Sequence, residues 1–517
     1  MSPLALISVS DKTNIIPLAK FLVDKLSYTI LSSGGTAKYL IDAGIPVKRV
    51  SDFTGFPEIL EGRVKTLHPK IHGGILAKRS SHKHLNDIET NKIELIDIVV
   101  VNLYPFQQKV SENCSWEEGI ENIDIGGPSM IRSAAKNHND VSILVNHKQY
   151  NQFIEMLSEG SLNKAYKTKL ALEAFQHTAL YDAAISNWIS KEKNISRGIH
   201  FDPFPLIKTL RYGENPHQQA KWYGSKVLGW NAAKQLQGKD LSYNNLLDLE
   251  SALSTVLEFG YENCMGSKEI PNAAIILKHN NPCGAAIGTS ITDAFQKALK
   301  CDSLSAFGGI VAFNKAVDSD TAKLLCSIFL ECVVAPSFHK DALEILETKK
   351  NLRLLKLSKE LIDSSNKEIC KSIMGGVLVQ DNDNKEDNPD QWDIVTRSKP
   401  NEEEIKDLKF SWKICKHVKS NAIVIAKGEK TLGIGAGQMN RVGAAKIALE
   451  AAKDSCKGAV LASDGFFPFA DTIELANKYG IKAIIQPGGS LRDQESIDMC
   501  DLKGISMMLT KKRHFLH

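Results

Sequence analysis

An apolar run, AAIIL at 273–277, ends in KHNNPCG at 278–284, which puts a lysine, a histidine and a cysteine on one strand end. Each implies a different chemistry. A Pro–Cys pair can open the P-C-x-x-C ligand pair of a zinc deaminase, but that site also needs H-x-E. Here Cys283 is followed by Gly284, Ala285 and Ala286, and none of the fourteen histidines begins H-x-E. A thiol nucleophile needs a base and a lowered pKa, and the sequence supplies neither; a small buried side chain is the commoner fate of such a cysteine. His279 beside Lys278 suits a general base with a cation able to steady an oxyanion. A histidine satisfied in the core competes with that reading when the segment is taken alone.

Two other strand ends, SVSDKT (8–13) and SSGGT (32–36), put hydroxyls and either a lysine or glycines ahead of a helix. Free N–H groups at a helix start, backbone that glycine leaves open, and a nearby ammonium together make a phosphate site. The candidates are Ser10, Lys12, Ser33, Gly34, Gly35 and Thr36. Caps and tight turns account for either motif singly. EGRVKTLHPKIHGG (61–74) adds Arg63, Lys65, Thr66 and His68, or else is a solvated basic loop. Tyr104 and Asp124 each follow an apolar strand, where open α/β sheets place ligands. An interfacial core tyrosine, a helix-capping aspartate and, for Lys136, a surface lysine are the plainer readings.

Further along, TLRYGENPHQ (209–218), LSYNNLLDLESA (241–252), SLSAFGGIVAF (303–313), ECVVAPSF (331–338), GIGAGQMNRVGA (433–444) and SDGFFPFADTIE (463–474) collect polar and aromatic residues beside glycines. Alone, each is more often a turn or cap than a site. Their glycines do not form G-x-G-x-x-G, so a dinucleotide fingerprint is missing.

The elements that must position these residues alternate. LALISV, YTILSS, IDIVVVNLY and VSILV read as strands, and NIIPLAKFLVDKL and AKYLIDAG as helices, with Pro17 and Pro128 in first turns. A further short apolar run is GGILA (73–77). Such alternation means a parallel sheet covered by helices. NAAIILKHNNPCG and NAIVIAKGEKTLGIGAGQ look like two copies of one plan, a buried strand running into a small, polar loop. The polar stretch 187–198 marks the expected domain boundary, and 380–393 reads as a solvated linker between halves of the second region. With 517 residues, two to four domains are expected. A net charge of +4 implies no nucleic-acid or membrane binding by composition. The ten cysteines form no C-x-x-C pair, and the N-terminus has no secretory pattern, so a reduced, cytoplasmic protein is expected.

SVSDKT, SGGT, GFPEILEGRVKTLHPKIHGGIL, NLYPF, DIGG and AAKNH occur in the order of the N-terminal domain of the bifunctional purine-biosynthesis family. RYGENPHQ, SYNN, KHNNPCG, SAFGG, SNA, GIGAGQ, SDGFFPF and RHFLH follow its second domain, so the resemblance covers nearly the whole chain. That family joins phosphoribosylaminoimidazolecarboxamide formyltransferase to IMP cyclohydrolase. The usual glycine after SDKT is Asn14 here, a residue that also tolerates a left-handed backbone. The resemblance implies a methylglyoxal-synthase-like parallel-sheet domain over 1–195 for ring closure. Over 196–517 it implies duplicated cytidine-deaminase-like α/β units without zinc, for formyl transfer from 10-formyltetrahydrofolate.

By the same resemblance Ser10, Lys12, Ser33, Gly34, Gly35, Thr36, Arg63, Lys65 and Thr66 hold the ribose phosphate. Lys65, Tyr104, Asp124 and Lys136 serve cyclisation, with Asp124 and Lys136 on the amide side. Lys278 and His279 serve formyl transfer. Arg211, Tyr212, Asn244, Phe307, Gly308, Glu331, Asn421, Gln438, Arg441, Phe466, Asp471 and Arg513 bind substrate. The implied partners are small molecules and a second copy of the chain, with no nucleic acid and no membrane; a monovalent cation is left undecided. A regulatory protein with inactive nucleotide pockets is the main alternative, and the retained Lys65, Tyr104, Asp124, Lys136, Lys278 and His279 argue against it. A nucleic-acid binder using the basic loop 63–70 is disfavoured by the near-neutral charge and the lack of a binding module.

Overall fold

The computed structural model describes every residue except 1, 105, 112–113, 197–198, 200–203, 226, 263–269, 364–367 and 385–386. The chain divides into two compact units, Met1–Pro203 and Phe204–His517.

The first unit is built on five parallel strands, β1 Leu4–Val9, β2 Thr29–Ser32, β3 Val47–Arg49, β4 Ile96–Asn102 and β5 Ser142–Leu144, in the order β3-β2-β1-β4-β5. β1 is central, and all of it but Ser8 is buried, which is why LALISV reads as a continuous apolar run instead of an alternating one. Strand order reverses at β1, so the carboxyl ends of β1, β2 and β4 open a crevice where ligands bind in such sheets. The helix Ile15–Leu26 starts after Asn14, whose φ of 58° is left-handed, as the replacement of glycine requires. The run 73–77 is not a strand. It falls in the helix Pro69–Leu76, because Ile71 and Ile75, one turn apart, are both buried.

The polar stretch 187–198 begins inside the helix Lys164–Lys193. Trp188 anchors it, stacked 4.8 Å from Trp116 and edge-on to Phe106; polarity on the solvent face hid that anchor. Residues 197 and 198 lie outside the described residues.

The second unit repeats itself. Its strands are β6 Leu206–Leu210, β7 Ala220–Tyr223, β8 Lys234–Gln237, β9 Asn272–Lys278, β10 Asn281–Gly288, β11 Gly309–Phe313, β12 Leu330–Ala335, β13 Arg353–Lys356, β14 Glu368–Ile373, β15 Gly376–Asp381, β16 Asp393–Ile394, β17 Ile423–Ala426, β18 Thr431–Gly435, β19 Val460–Ser463, β20 Ala483–Gln486 and β21 Ser506–Leu509. One six-stranded sheet runs β10-β9-β11-β12-β13-β8 and another β18-β17-β19-β20-β21-β16. Each pairs a hairpin antiparallel to a run of three parallel strands and ends on a short antiparallel strand. The sheets meet at their hairpin edges, where Thr431 Oγ1 accepts from Ala285 N–H (2.9 Å) and donates to Ala285 C=O (3.2 Å). The helices Tyr243–Leu257 and Glu402–Cys415 occupy one apolar core shared by both halves, with Leu249, Leu253, Leu408, Trp412 and Ile414 buried together.

Glycine permits the same close packing twice. A Cβ on Gly284 would come within 2.1 Å of Ala298 C=O, and one on Gly433 within 2.1 Å of Ala448 C=O. The stretch 380–393 is not a simple solvated linker. Asp383 and Asp387 both bind the buried His514 ring, and Asp387 also accepts from Lys512 Nζ (2.9 Å) and Trp412 Nε1 (2.7 Å). These four bonds, to three partners, draw an acidic segment onto the protein, and its composition gave no sign of them. Residues 385 and 386 lie outside the described residues.

Gly433→Ala is expected to lower stability by about 1–3 kcal/mol, the usual cost of overpacking, seen as a lower thermal midpoint. An unchanged midpoint would mean that the helix Arg441–Ala452 is free to move off β18.

Candidate active sites

In the first unit, β1 leads into Ser10, whose N–H donates to Asn102 Oδ1 (2.6 Å), while Lys12 Nζ folds back to Ser10 C=O (3.4 Å). The helix Gly34–Asp42 begins at the end of β2, with Gly34 and Gly35 exposed. Thr36 does not face a ligand with its hydroxyl. Its Oγ1 accepts from Val9 N–H (3.1 Å) and donates to Val9 C=O (2.9 Å), pinning this helix to β1. Lys65 Nζ reaches to 3.9 Å from where a Gly34 Cβ would sit, and Thr66 Oγ1 lies as near as 2.7 Å to that of Gly126. One short loop thus links the helix start after β2 with the one after Asp124. Beside Lys65 is a cavity of about 330 Å³, walled by Thr54, Phe56, Pro57 and His68.

Asp124 sits at the start of the helix Gly126–Lys136, where its Oδ1 accepts from Gly127 N–H (2.8 Å). Burial raises its pKa; the Gly127 N–H, the charge of Lys65 and the Gly126 N–H pull the other way. A raised carboxylate pKa makes a better proton acceptor near neutrality. Tyr104 follows β4 and is 50% exposed; the next residue, Pro105 of NLYPF, lies outside the described residues. Arg63 is committed to an exposed pair with Glu121. Lys136 is the outlier. It ends the eleven-residue helix that Asp124 begins, about 16 Å away along the axis. The two residues expected on the amide side thus stand at opposite ends of one helix.

In the second unit, Lys278 closes β9 and its Nζ donates to Phe307 C=O (2.6 Å). KHNNPCG divides differently from expectation. Lys278 already pairs with Asn281, so the turn is His279–Asn280 alone, and Asn281–Gly284 belongs to β10. Both turn residues have positive φ, 51° and 59°, the signature of the tight turn whose twist matches a hairpin. A register shift between Pro282 and Gly284 accommodates the proline. Cys283 packs inward, with its thiol 3.5 Å from Ile276 C=O. Burial pushes its pKa up to about 12, which leaves no thiolate.

Around this turn, Asn244 Nδ2 donates to Glu214 C=O (3.3 Å), tying the Arg211–Tyr212 loop to the helix Tyr243–Leu257. The next residue, Asn245, donates to Glu331 Oε2 (2.8 Å), and Gly308 N–H donates to Phe329 C=O (2.8 Å) beside β12. The Arg211–Tyr212 loop, Asn244, Glu331, Phe307 and Gly308 are thus brought round Lys278 and His279. Asn281 Oδ1 accepts from Lys419 N–H (3.0 Å), joining this group to the second half. There Asn421 Nδ2 donates to Gln438 C=O (2.7 Å), and Ser420 N–H ties in the C-terminal segment at Leu516 C=O (2.9 Å). Phe466 is partly exposed, Asp471 and Arg513 lie at the surface, and Arg513 stacks on Phe515. Arg441 differs from the rest. It is 7% exposed, and its guanidinium is held by Asp464 and Ala422 C=O, so it orders the loop before Phe466 and presents no free charge.

The family model described as AICARFT/IMPCHase bienzyme matches residues 134–451, and that of the MGS-like domain matches 14–129. The chain belongs to the AICARFT/IMPCHase bienzyme family. Two curated relatives, the "Bifunctional purine biosynthesis protein PurH" of Prochlorococcus marinus strains MIT 9515 and MIT 9301, are each 69% identical over 517 residues, covering 100% of both chains. The solved "Crystal structure of ForH" matches 36% of this chain and 98% of its own, at 36% identity and a TM-score of 0.33. As a member of the family the chain is a bifunctional formyltransferase and IMP cyclohydrolase of purine biosynthesis, acting in the last two steps of IMP synthesis. Formyl transfer implies a folate co-substrate, and among the described residues no His, Cys, Asp or Glu group is arranged to hold a metal.

One residue beside His279 escaped the sequence reading. Asp248 accepts from Asn280 N–H (2.8 Å). A signal for it exists: Ser242-x-x-Asn245-x-x-Asp248-Leu249 recurs in the second half as Asn401-x-x-Glu404-x-x-Asp407-Leu408.

Cys283→Ala is expected to keep formyl transfer, and the native thiol to resist iodoacetamide at mildly alkaline pH while the protein is folded. Loss of transfer in this variant would restore the thiol reading.

Proposed function

We propose that the Phe204–His517 unit transfers the formyl group and that the Met1–Pro203 unit closes the ring, with the functional limits expected at 1–195 and 196–517. The observation that carries this reading is the convergence of Lys278 and His279 at a tight turn ringed by Asn244, Glu331 and Phe307, far in sequence from the Lys65–Asp124 pair. The substrate's 5-amino group is conjugated and weakly nucleophilic. His279 takes its proton as the nitrogen attacks the formyl carbon of 10-formyltetrahydrofolate, and Lys278 steadies the tetrahedral oxyanion. Collapse expels the folate nitrogen with a proton, leaving the formamido product and tetrahydrofolate. Glu331 accepts from the amino group, and Arg211, Tyr212, Asn421 and Arg513 take the phosphate and carboxamide.

For ring closure, Asp124 draws a proton from the carboxamide nitrogen as that nitrogen attacks the formyl carbon. Lys65 and Tyr104 deliver protons to the oxygen, which leaves as water. Ser10, Lys12, Gly34, Gly35 and Thr66 hold the ribose phosphate, with Thr36 as a strut. Lys136 stays outside this set. Holding the two groups in contact supplies roughly 7–11 kcal/mol of the barrier, more than a single acid or base, at about 10²–10⁴-fold.

The chain acts as a homodimer on this reading. In support, the β14–β15 hairpin exposes Ile369, Ile373, Met374, Val377, Leu378 and Val379 together, a patch suited to a second copy. Cytoplasmic action and the deaminase-like descent of the repeated unit belong to the same proposal. Among the described residues no two cysteines form a disulfide, which supports a reducing compartment.

His279→Ala is expected to abolish formyl transfer and keep cyclisation of the formylated ribotide. Asp124→Asn should do the reverse, with cyclisation reduced by about 10²–10⁴-fold. Loss of both activities in either variant, or full cyclisation by Asp124→Asn, would contradict the assignment.

A further inference from the structure

The repeat carries a hydrogen-bond motif twice. In the second half the turn Gly428–Glu429 joins β17 to β18, and its residues have φ of 62° and 49°. Asp407, on the helix Glu402–Cys415, accepts from both turn amides: Gly428 N–H to Oδ2 (2.9 Å) and Glu429 N–H to Oδ1 (2.7 Å). In the first half Asp248, at the matching place on the helix Tyr243–Leu257, accepts from Asn280 N–H (2.8 Å) and lies close to His279. The Asn280 amide lies on the same helix, within 3.2 Å of Asp248 Oδ1 and Ser251 Oγ. A carboxylate binding outward-facing amides makes strong, charge-assisted bonds, and so secures a turn conformation that non-glycine residues resist.

The halves differ in what stands in the turn. Gly428 suits positive φ, whereas His279 does not, and His279 is the proposed base. We infer that Asp248 is a positioning residue for formyl transfer: its carboxylate holds the His279–Asn280 turn and so fixes where the imidazole stands. This rests on His279 being the base, as proposed above. Asp248 is partly buried and within electrostatic range of His279. The other charged groups round the turn are Lys278 next in the chain, Glu331 on β12, and Arg353 on β13, 3.6 Å from Glu331. The turn that Asp407 holds carries Gly428 and Glu429 and no histidine, so Asp407 has the structural role alone.

The second half is therefore a built-in control. Asp248→Asn, Asp407→Asn and His279→Ala are compared in the full-length protein for formyl-transfer kcat and KM, cyclisation and thermal midpoint. Asp248→Asn should cut formyl-transfer kcat by about 10²-fold, the scale of a misplaced catalytic group, with cyclisation retained. Its KM for the ribotide should change little, because a misplaced base costs the transition state and not substrate binding. Asp407→Asn should lower the thermal midpoint and leave formyl-transfer kcat where it is. If His279→Ala is inactive and Asp248→Asn has the wild-type kcat, or Asp407→Asn lowers kcat equally, the inference fails and the base assignment stands. Formyl transfer by His279→Ala overturns both.

Discussion

A carboxylate early in a helix, accepting from the amides of a hairpin turn, organises the Phe204–His517 unit. Asp248 and Asp407 make this contact in the two halves. Each fastens the hairpin that forms one edge of its sheet to the helix at the shared core. The turn must be short, because the strands pair right up to it, and its residues must take positive φ, because only that twist fits the strands. Unpaired amides there would be costly if shielded from water. The contact meets both demands, and in one half it leaves a histidine side chain at the tip. The catalytic position is on this reading an elaboration of a fold device, one copy of which stays purely structural.

The Met1–Pro203 unit follows a different logic. Its site comes from sheet topology: strand order reverses at β1, and loops from β1, β2 and β4 meet where the strands end. Thr36 locks the first helix start to β1 through Val9. The Arg63–Thr66 loop then carries Lys65 between that helix start and Asp124. Partial burial gives Asp124 its raised pKa, and Lys65 keeps the shift in check.

Much of this was legible in the chain. LALISV, the Gly-Gly helix start and the Lys278–His279 strand end are local signals, and local signals survive folding. The repeat was visible in two strand–loop segments, although the clearer echo, an aspartate at one spacing after each helix cap, passed unread. What the sequence concealed depends on long-range partners. Nothing near Arg441 announces Asp464 as its buried mate, and nothing in 380–393 announces His514. Lys136 is the converse case: its motif is sound, but a straight helix carries it away from Asp124. At 73–77 a short apolar run fits a buried helix as well as a strand, and only the packing of Ile71 and Ile75 decides for the helix.

The central claim is that two independent sites on one chain act in sequence. Complementation tests it most directly: His279→Ala and Asp124→Asn proteins, each unable alone to turn aminoimidazolecarboxamide ribotide and 10-formyltetrahydrofolate into IMP, are mixed and IMP is followed. The account predicts that the mixture forms IMP, because the formylated ribotide made by one protein is closed by the other. A mixture as inactive as its parts, from two folded proteins, would contradict it.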